Sequence, residues 1–379
     1  IVIFFIPYTA SGFAACGKLF STLFGVPYFG AMLVSAIVIV AYTALGGFSA
    51  ASTTDLIQSI VMSVALISVV LFGIKTLGGM DVIASQTASM KGYLSLTSVY
   101  NEGTAVPYGS IKIASTLAWG LGYFGMPHVL LRFMAISDEN KIKLSRRIAT
   151  IWVVISMAVA VFIGIMGYTL SRQGYIDVLT GADSEKVIIT IATLMSKSGV
   201  LGIVLAGLIM SGILACTMST ADSQLLVASS SFSSDIYNTL FNKNASEKTL
   251  LNVSRITIVV VAIIACLLAL DPNSSVFEIV AHAWAGFGAA FGPVILCSLF
   301  WKRCNALAGV ISGGAVALLW AYVPTAIWGA DNLPGIFTVY EIIPGFIVSL
   351  ALIFIVSLAT KAPSKEVIEE FESVKTADV

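Results

Sequence analysis

The decisive stretch is Trp119-Gly120-Leu121-Gly122-Tyr123-Phe124-Gly125-Met126-Pro127-His128. It lies inside a run, Ile113 to Leu131, with no Asp, Glu, Lys or Arg. A hydrocarbon core about 30 Å thick takes about 20 apolar residues in a helix, and the run has that length. Yet its glycines, together with Pro127, disfavour a continuous helix. The glycines either unwind the span, with Gly120, Gly122, Gly125 and Pro127 as the break, or admit a neighbouring helix closely. An unwound segment at membrane depth is tolerated only where it is buried in protein or lines a cavity.

Outward from this stretch, charge-free runs recur. They cover Leu19 to Thr54, Leu56 to Ile74, Ile148 to Ser171, Ser198 to Ala221, Ile279 to Trp301, Cys304 to Ala330 and Ile342 to Thr360. Of 379 residues, 58% are hydrophobic and 11% charged, against about 25% charged in an ordinary soluble domain. Mean hydropathy is +0.97. A soluble globular chain and a disordered one are both excluded. Period-two alternation is absent, which excludes a transmembrane barrel. The chain is therefore expected to be an all-α polytopic membrane protein, with lipid as its surroundings. Spans are expected at 1–23, 29–47, 54–75, 110–133, 146–170, 200–230, 252–270, 276–301, 304–325 and 340–360, and a short amphipathic helix at 185–197. Net charge is zero and no long basic tract occurs, so nucleic acid is not an expected partner. Cys16, Cys216, Cys266, Cys297 and Cys304 show no metal or disulfide spacing and read as packing residues.

Loop cations set the sidedness. Arg132, Lys141, Lys143, Arg146 and Arg147 fall in one loop, Lys243, Lys248 and Arg255 in another, Lys302 and Arg303 follow the eighth span, and Lys361 and Lys365 the tenth. The intervening loops 171–199, 271–275 and 326–341 are poorer in excess positive charge, with Asp177, Asp183, Glu185, Asp271, Asp331 and Glu341. That alternation predicts a first span running outward and a cytoplasmic C-terminus. The chain begins inside an apolar stretch at Ile1 without a basic leader, so earlier spans are expected to precede it.

Trp119 and Tyr123 are four apart and share a helical face able to stack a small ring or hold an ammonium group. The eighth span has a second Gly-rich segment, Trp284 to Pro293, which is either another break or a small-residue packing face. In the sixth span, the Cys216 carbonyl and the Ser219 and Thr220 hydroxyls fall at one point of a helix. Neutral oxygens suit a monovalent hard cation such as Na+ better than Ca²⁺ or Mg²⁺. The same residues also back-bond to a carbonyl or pack against a neighbour in membrane helices, and spacing does not separate the two. Asp222 follows; an acid in a span marks a functional position, a structural ion pair or a water-filled vestibule. Asp55, after Thr53-Thr54, is either functional or an acidic N-cap of the third span. His128 and His282 are the histidines, with no nucleophile–base spacing, so no enzymatic chemistry is expected. His128 reads as structural.

These strings resemble the sodium:solute symporter family, and within it the proline-transporting branch. The resemblance rests on Trp119 to His128 with Arg132-Phe-Met-Ala135, Met218-Ser-Thr220 with Gln224-Leu-Leu-Val227, Trp284 to Pro293, Thr54-Asp55 with Gln58, and Tyr340 to Phe346. It runs from Ile1 to about Pro363 and implies a LeuT-type inverted-repeat fold. About ten transmembrane helices would be present and the first three would lie before Ile1. Residues 1–363 would form one transport domain, with core helices 3–10 at about 1–301 and peripheral helices at about 304–360. Residues 364–379 would be a cytoplasmic tail. The resemblance implies sodium-coupled L-proline uptake across the bacterial cytoplasmic (inner) membrane, with Na+ as coupling ion and no further cofactor. Cys216, Ser219 and Thr220 would ligate sodium, Asp55 would take part in sodium coupling, and Tyr8, Trp119 and Tyr123 would contact proline. Asp222, as an acid in a span, is expected to line the sodium exit with Asp55. Met126 stands where a close relative has Gln, which would change polarity at the site. Another small solute, such as pantothenate, or a non-transporting solute sensor are the alternatives.

Overall fold

A computed structural model describes residues 1–101, 103–329 and 332–376. Asp331 and the last residues of the tail, 377–379, lie outside the described residues. The helices are α1 (Val2–Phe24), α2 (Tyr28–Leu77), α3 (Met80–Ser89), α4 (Ser110–Leu117), α5 (Trp119–Gly122), α6 (Pro127–Met134), α7 (Ile142–Arg172), α8 (Val187–Ser196), α9 (Val200–Ser230), α10 (Glu247–Leu268), α11 (Val276–Phe300), α12 (Ala306–Trp328), α13 (Ile342–Ala359) and α14 (Lys365–Thr376). A hairpin, β1 (Ser98–Asn101) with β2 (Thr104–Pro107), lies in the loop before α4.

Among the described residues nine helical segments are long and apolar enough to cross a membrane. The fourth expected span is not one of them, because it is broken into α4, α5 and α6. Helices are the form such sequences take in lipid, where every backbone group needs an internal partner. The second and third spans are joined without a loop. They form α2, turned at Gly47, whose φ of 63° and ψ of −164° suit glycine alone. The third span then starts at Ala51 rather than residue 54. Beyond Ser230, the sixth span continues as a π-helix, Ser231–Phe241.

The chain divides into two compact units, residues 1–107 with 144–280, and residues 108–143 with the chain from Ala281 onward. In the first, α1 lies against α9, where Gly12 faces Ala221 and Thr217. Phe13, Met32, Ile39 and Leu225 centre one core cluster, and Met166, Ile191, Met195 and Ile209 another. Large apolar side chains remain on the outside: Ile151, Val154 and Ile155 of α7 are 61%, 62% and 58% exposed. A surface of that kind is an aggregation hazard in water and a normal one in lipid.

One polar tie organises this unit. Lys18, buried in the second half of α1, donates from Nζ to Glu185 Oε2 at 2.9 Å and to the Ser274 carbonyl at 2.7 Å. Glu185 also accepts from Ser275 Oγ at 2.8 Å and from the N–H groups of Val276 at 3.2 Å and Phe277 at 3.1 Å. It thereby caps the first turn of α11, where unpaired N–H groups and the helix dipole favour an anion. Burial alone would raise its pKa, but the hydrogen bonds from Lys18, Phe277, Ser275 and Val276 outweigh burial. They hold the carboxyl below its ordinary value.

In the second unit, glycines bring helices together. A Cβ on Gly313 would lie 2.0 Å from the Ala289 carbonyl oxygen, and one on Gly309 2.6 Å from Ile353. Arg303 closes the end of α13, donating from Nε to Ser357 O at 2.8 Å and from Nη2 to Thr360 O at 3.0 Å. Such a cation satisfies the last carbonyls and opposes the dipole.

Candidate functional site

The break in the fourth span has a local cause. α5 passes into one 3₁₀ turn, Tyr123–Gly125, and Met126 is extended, with φ −80° and ψ 106°. A residue before proline is pushed out of the helical region. Pro127 then opens α6 at its first turn, where it loses no hydrogen bond. The glycines do a second job. A Cβ on Gly122 would lie 1.9 Å from Trp284 Nε1 and one on Gly125 2.4 Å from the Phe287 carbonyl oxygen, while Gly120 has nothing within 4 Å. Unwinding and close approach thus both hold here. At Trp284 to Pro293 only close approach holds. α11 runs on through that segment, and a Cβ on Gly288 would meet Gly122 Cα at 2.8 Å.

The aromatics of this unit form a cluster. Trp119 stacks on Trp284, with centroids 5.9 Å apart, and on Tyr340 at 5.7 Å. Trp284 Nε1 donates to the Trp119 carbonyl at 2.9 Å. Tyr340 is fixed by its N–H to Ser115 Oγ at 3.1 Å and its Oη to the Ala281 carbonyl at 2.6 Å. Tyr123 meets Trp284 edge-on at 4.8 Å and is 53% exposed. Trp119 is therefore built into an aromatic wall, and Tyr123 is the ring with free surface. Trp284 lies against both rings, stacked on Trp119 and edge-on to Tyr123. Met126, beside the break, is fully buried. Tyr8 lies on α1 in the other unit, half-buried.

On α9, Ser219 Oγ and Thr220 Oγ1 each donate to the Cys216 carbonyl at 3.0 Å. The three oxygens converge, by the same bonds that any helical Ser or Thr makes to its preceding turn. The hydroxyl lone pairs are left for a further contact. The donor set fits sodium: neutral, hard and too few in charge for a divalent ion. Cys216 is an exception among the cysteines read as packing residues, because it is exposed.

Asp222 is not in an open vestibule. It is fully buried and accepts from Tyr42 Oη at 2.9 Å and Ser223 Oγ at 3.2 Å. Tyr42 Oη also lies 3.1 Å from the Met218 carbonyl. Asp55 is within electrostatic reach of both Asp222 and Tyr42. It is not an N-cap: Thr53, Thr54 and Asp55 are helical, because the turn at Gly47 starts the third span upstream of them.

The model of the sodium:solute symporter family matches residues 1–316. The chain belongs to the sodium:solute symporter family. Among similar members is the osmoregulated proline transporter OpuE of Bacillus subtilis, 39% identical over 368 residues, covering 96% of this chain and 70% of that one. The high-affinity proline transporter PutP of the same organism is 39% identical over 374 residues, covering 98% and 74%. Sodium/proline symporter 2 of Staphylococcus saprophyticus is 37% identical over 381 residues, covering 99% and 71%. The fold matches a substrate-bound, outward-open Na+-coupled sialic acid symporter, with TM-score 0.70 and 19% identity over 96% of this chain and 74% of that one. The family member described here is a multi-pass membrane protein with the LeuT-type fold.

Sequence reasoning gave no role to Tyr42, Trp284, Tyr340 or Glu185. Tyr42 had a signal: a lone phenol in an apolar span needs a partner, and Asp222 needs a donor. Trp284 and Tyr340 stand in strings that carry the family resemblance, but their stacking on Trp119 was not readable, since only packing brings them there.

Proposed function

We propose that this symporter couples inward sodium movement to L-proline uptake across the cytoplasmic membrane, with its C-terminus in the cytoplasm. The observation that carries this is the run of proline-transporting relatives, 34–39% identical over nearly the whole chain. Sodium is held by the Cys216 carbonyl, Ser219 and Thr220, with further oxygens from elsewhere. Asp222 and Asp55 attract the ion inward of that point. Two acids within electrostatic reach of each other inside a membrane favour a cation nearby. Proline binds at the break, its ring against Tyr123 and the wall that Trp119 forms, and its ammonium and carboxylate on freed backbone groups. Both ligands favour one conformation, so each raises the affinity for the other. The membrane potential adds about 2.3 kcal/mol per charge per 100 mV.

The test is uptake of labelled proline into proteoliposomes. Uptake should accumulate proline only with sodium higher outside, and flux indifferent to the sodium gradient would reject the proposal. Ser219→Ala and Thr220→Ala should each raise the half-saturating sodium concentration about tenfold, the equivalent of about 1.4 kcal/mol. Proline affinity at saturating sodium should change far less.

A further inference from the structure

Burial along α9 changes abruptly. Residues 216–220 are exposed or half-buried, whereas Ala221, Asp222, Ser223, Gln224 and Leu225 are all buried. By the loop charges, α9 runs inward, so the buried layer closes the cytoplasmic side of the sodium half-site. Gln224 is inside that layer. It is fully buried, and neither Oε1 nor Nε2 has a hydrogen-bond partner. Leaving such groups unpaired costs about 1–3 kcal/mol each, and an apolar residue would close the layer without that cost.

Register gives the amide a purpose. Cys216, Thr220 and Gln224 follow at intervals of four and share one face of α9, so Gln224 stands one turn, about 6 Å, inward of Thr220. On α1, Gly12 faces Ala221 and Thr217, and the two helices run in opposite directions by the span order. Thr9 on α1 and Gln224 on α9 are then displaced from that contact toward the same side. Thr9 is also fully buried, with an unpartnered Oγ1. Two buried polar side chains displaced to the same side of one helix contact, each without a hydrogen-bond partner, are groups that one bound ion or water would satisfy.

We infer that Gln224, with Thr9, forms a second stopping point for sodium, which the ion occupies on its way from Thr220 to the cytoplasm. Gln224 Oε1 and Thr9 Oγ1 ligate the ion, and Nε2 donates to a water that accompanies it. This rests on the sodium assignment above and adds a release step to it.

The experiment measures Gln224→Leu and Gln224→Glu in proteoliposomes. Leu keeps the bulk and removes both polar atoms. Net sodium-driven uptake by Gln224→Leu should turn over about tenfold more slowly, a barrier higher by about 1.4 kcal/mol. Proline exchange with saturating sodium on both sides does not require the ion to leave, and should stay near the wild-type rate. Gln224→Glu keeps an oxygen ligand and should recover net uptake. Unchanged net uptake by Gln224→Leu overturns the inference, as does an equal loss of exchange and net uptake, which would make Gln224 structural or part of the substrate site. Should Gln224→Leu not fold, the same comparison in Gln224→Ala decides. If Ser219→Ala and Thr220→Ala leave sodium dependence untouched, the underlying sodium assignment fails. If they shift it while Gln224→Leu transports normally, only the release step fails.

Discussion

Trp119 and Tyr123 look equivalent in sequence and are not equivalent in space. Trp119 stacks on two rings and takes a hydrogen bond on its carbonyl, whereas Tyr123 touches Trp284 only by an edge and keeps half its surface. Aromatic pairs contribute about 0.5–1.5 kcal/mol beyond area burial. Trp119→Ala should therefore lower the melting temperature as well as weaken proline binding. Tyr123→Ala should leave the melting temperature nearly unchanged and raise the half-saturating proline concentration about tenfold. Uptake kinetics beside a thermal melt of each variant separates the two. Equal melting losses would show that Tyr123 is packing too. The convergence of Cys216, Ser219 and Thr220 was legible in the sequence, because helical geometry fixes which oxygens meet. The burial of Asp222 and its bond to Tyr42 were not, because they depend on the side chains α2 brings to α9.

At the scale of the element, the long charge-free runs became helices with ends close to those expected, since lipid leaves the backbone no other choice. Two features escaped. The second span was expected to end at 47, where α2 does turn, but not to run on into the third span without a loop, and Thr-Thr-Asp imitated a cap. The glycines of the fourth span were legible as a group but not one by one. Gly122 faces Trp284 with no room for a methyl group, while Gly120 faces open space. Gly122→Ala should destabilise by about 1–3 kcal/mol, the usual penalty of overpacking. Gly120→Ala should be neutral or slightly stabilising, since Ala favours a helix over Gly by about 1 kcal/mol. Thermal melts of the two purified variants check this, and equal effects would contradict the packing seen at Trp284.

For the molecule as a whole, acid should loosen the first unit through Glu185. Its folded pKa lies below its ordinary value of 4.5. The carboxylate therefore contributes stability that is present above pH 4.5 and is lost as pH falls through the depressed folded value. Melts between pH 6 and pH 3 should show wild-type stability falling toward that of Glu185→Gln. The gap between them should be widest at the upper end. A constant gap would mean that Glu185 acts by shape rather than charge. Charge placement is the ground for the expected sidedness. The Lys18–Glu185 tie was not legible, because its members are far apart in the chain and meet only when α1, the turn before α8 and the start of α11 pack.

The corner at Gly47 has a mechanical meaning. Tyr42, which holds Asp222, lies a little before it, and Asp55 a little after. No slack loop separates them, so α2 behaves as a bell crank pivoting on one backbone joint. On the proposed sodium path, a cation drawn to Asp222 and Asp55 would load both arms at once. The load would fall on a residue with no side chain, so the proposed sodium path predicts that occupancy of the ion site changes the angle between two membrane spans.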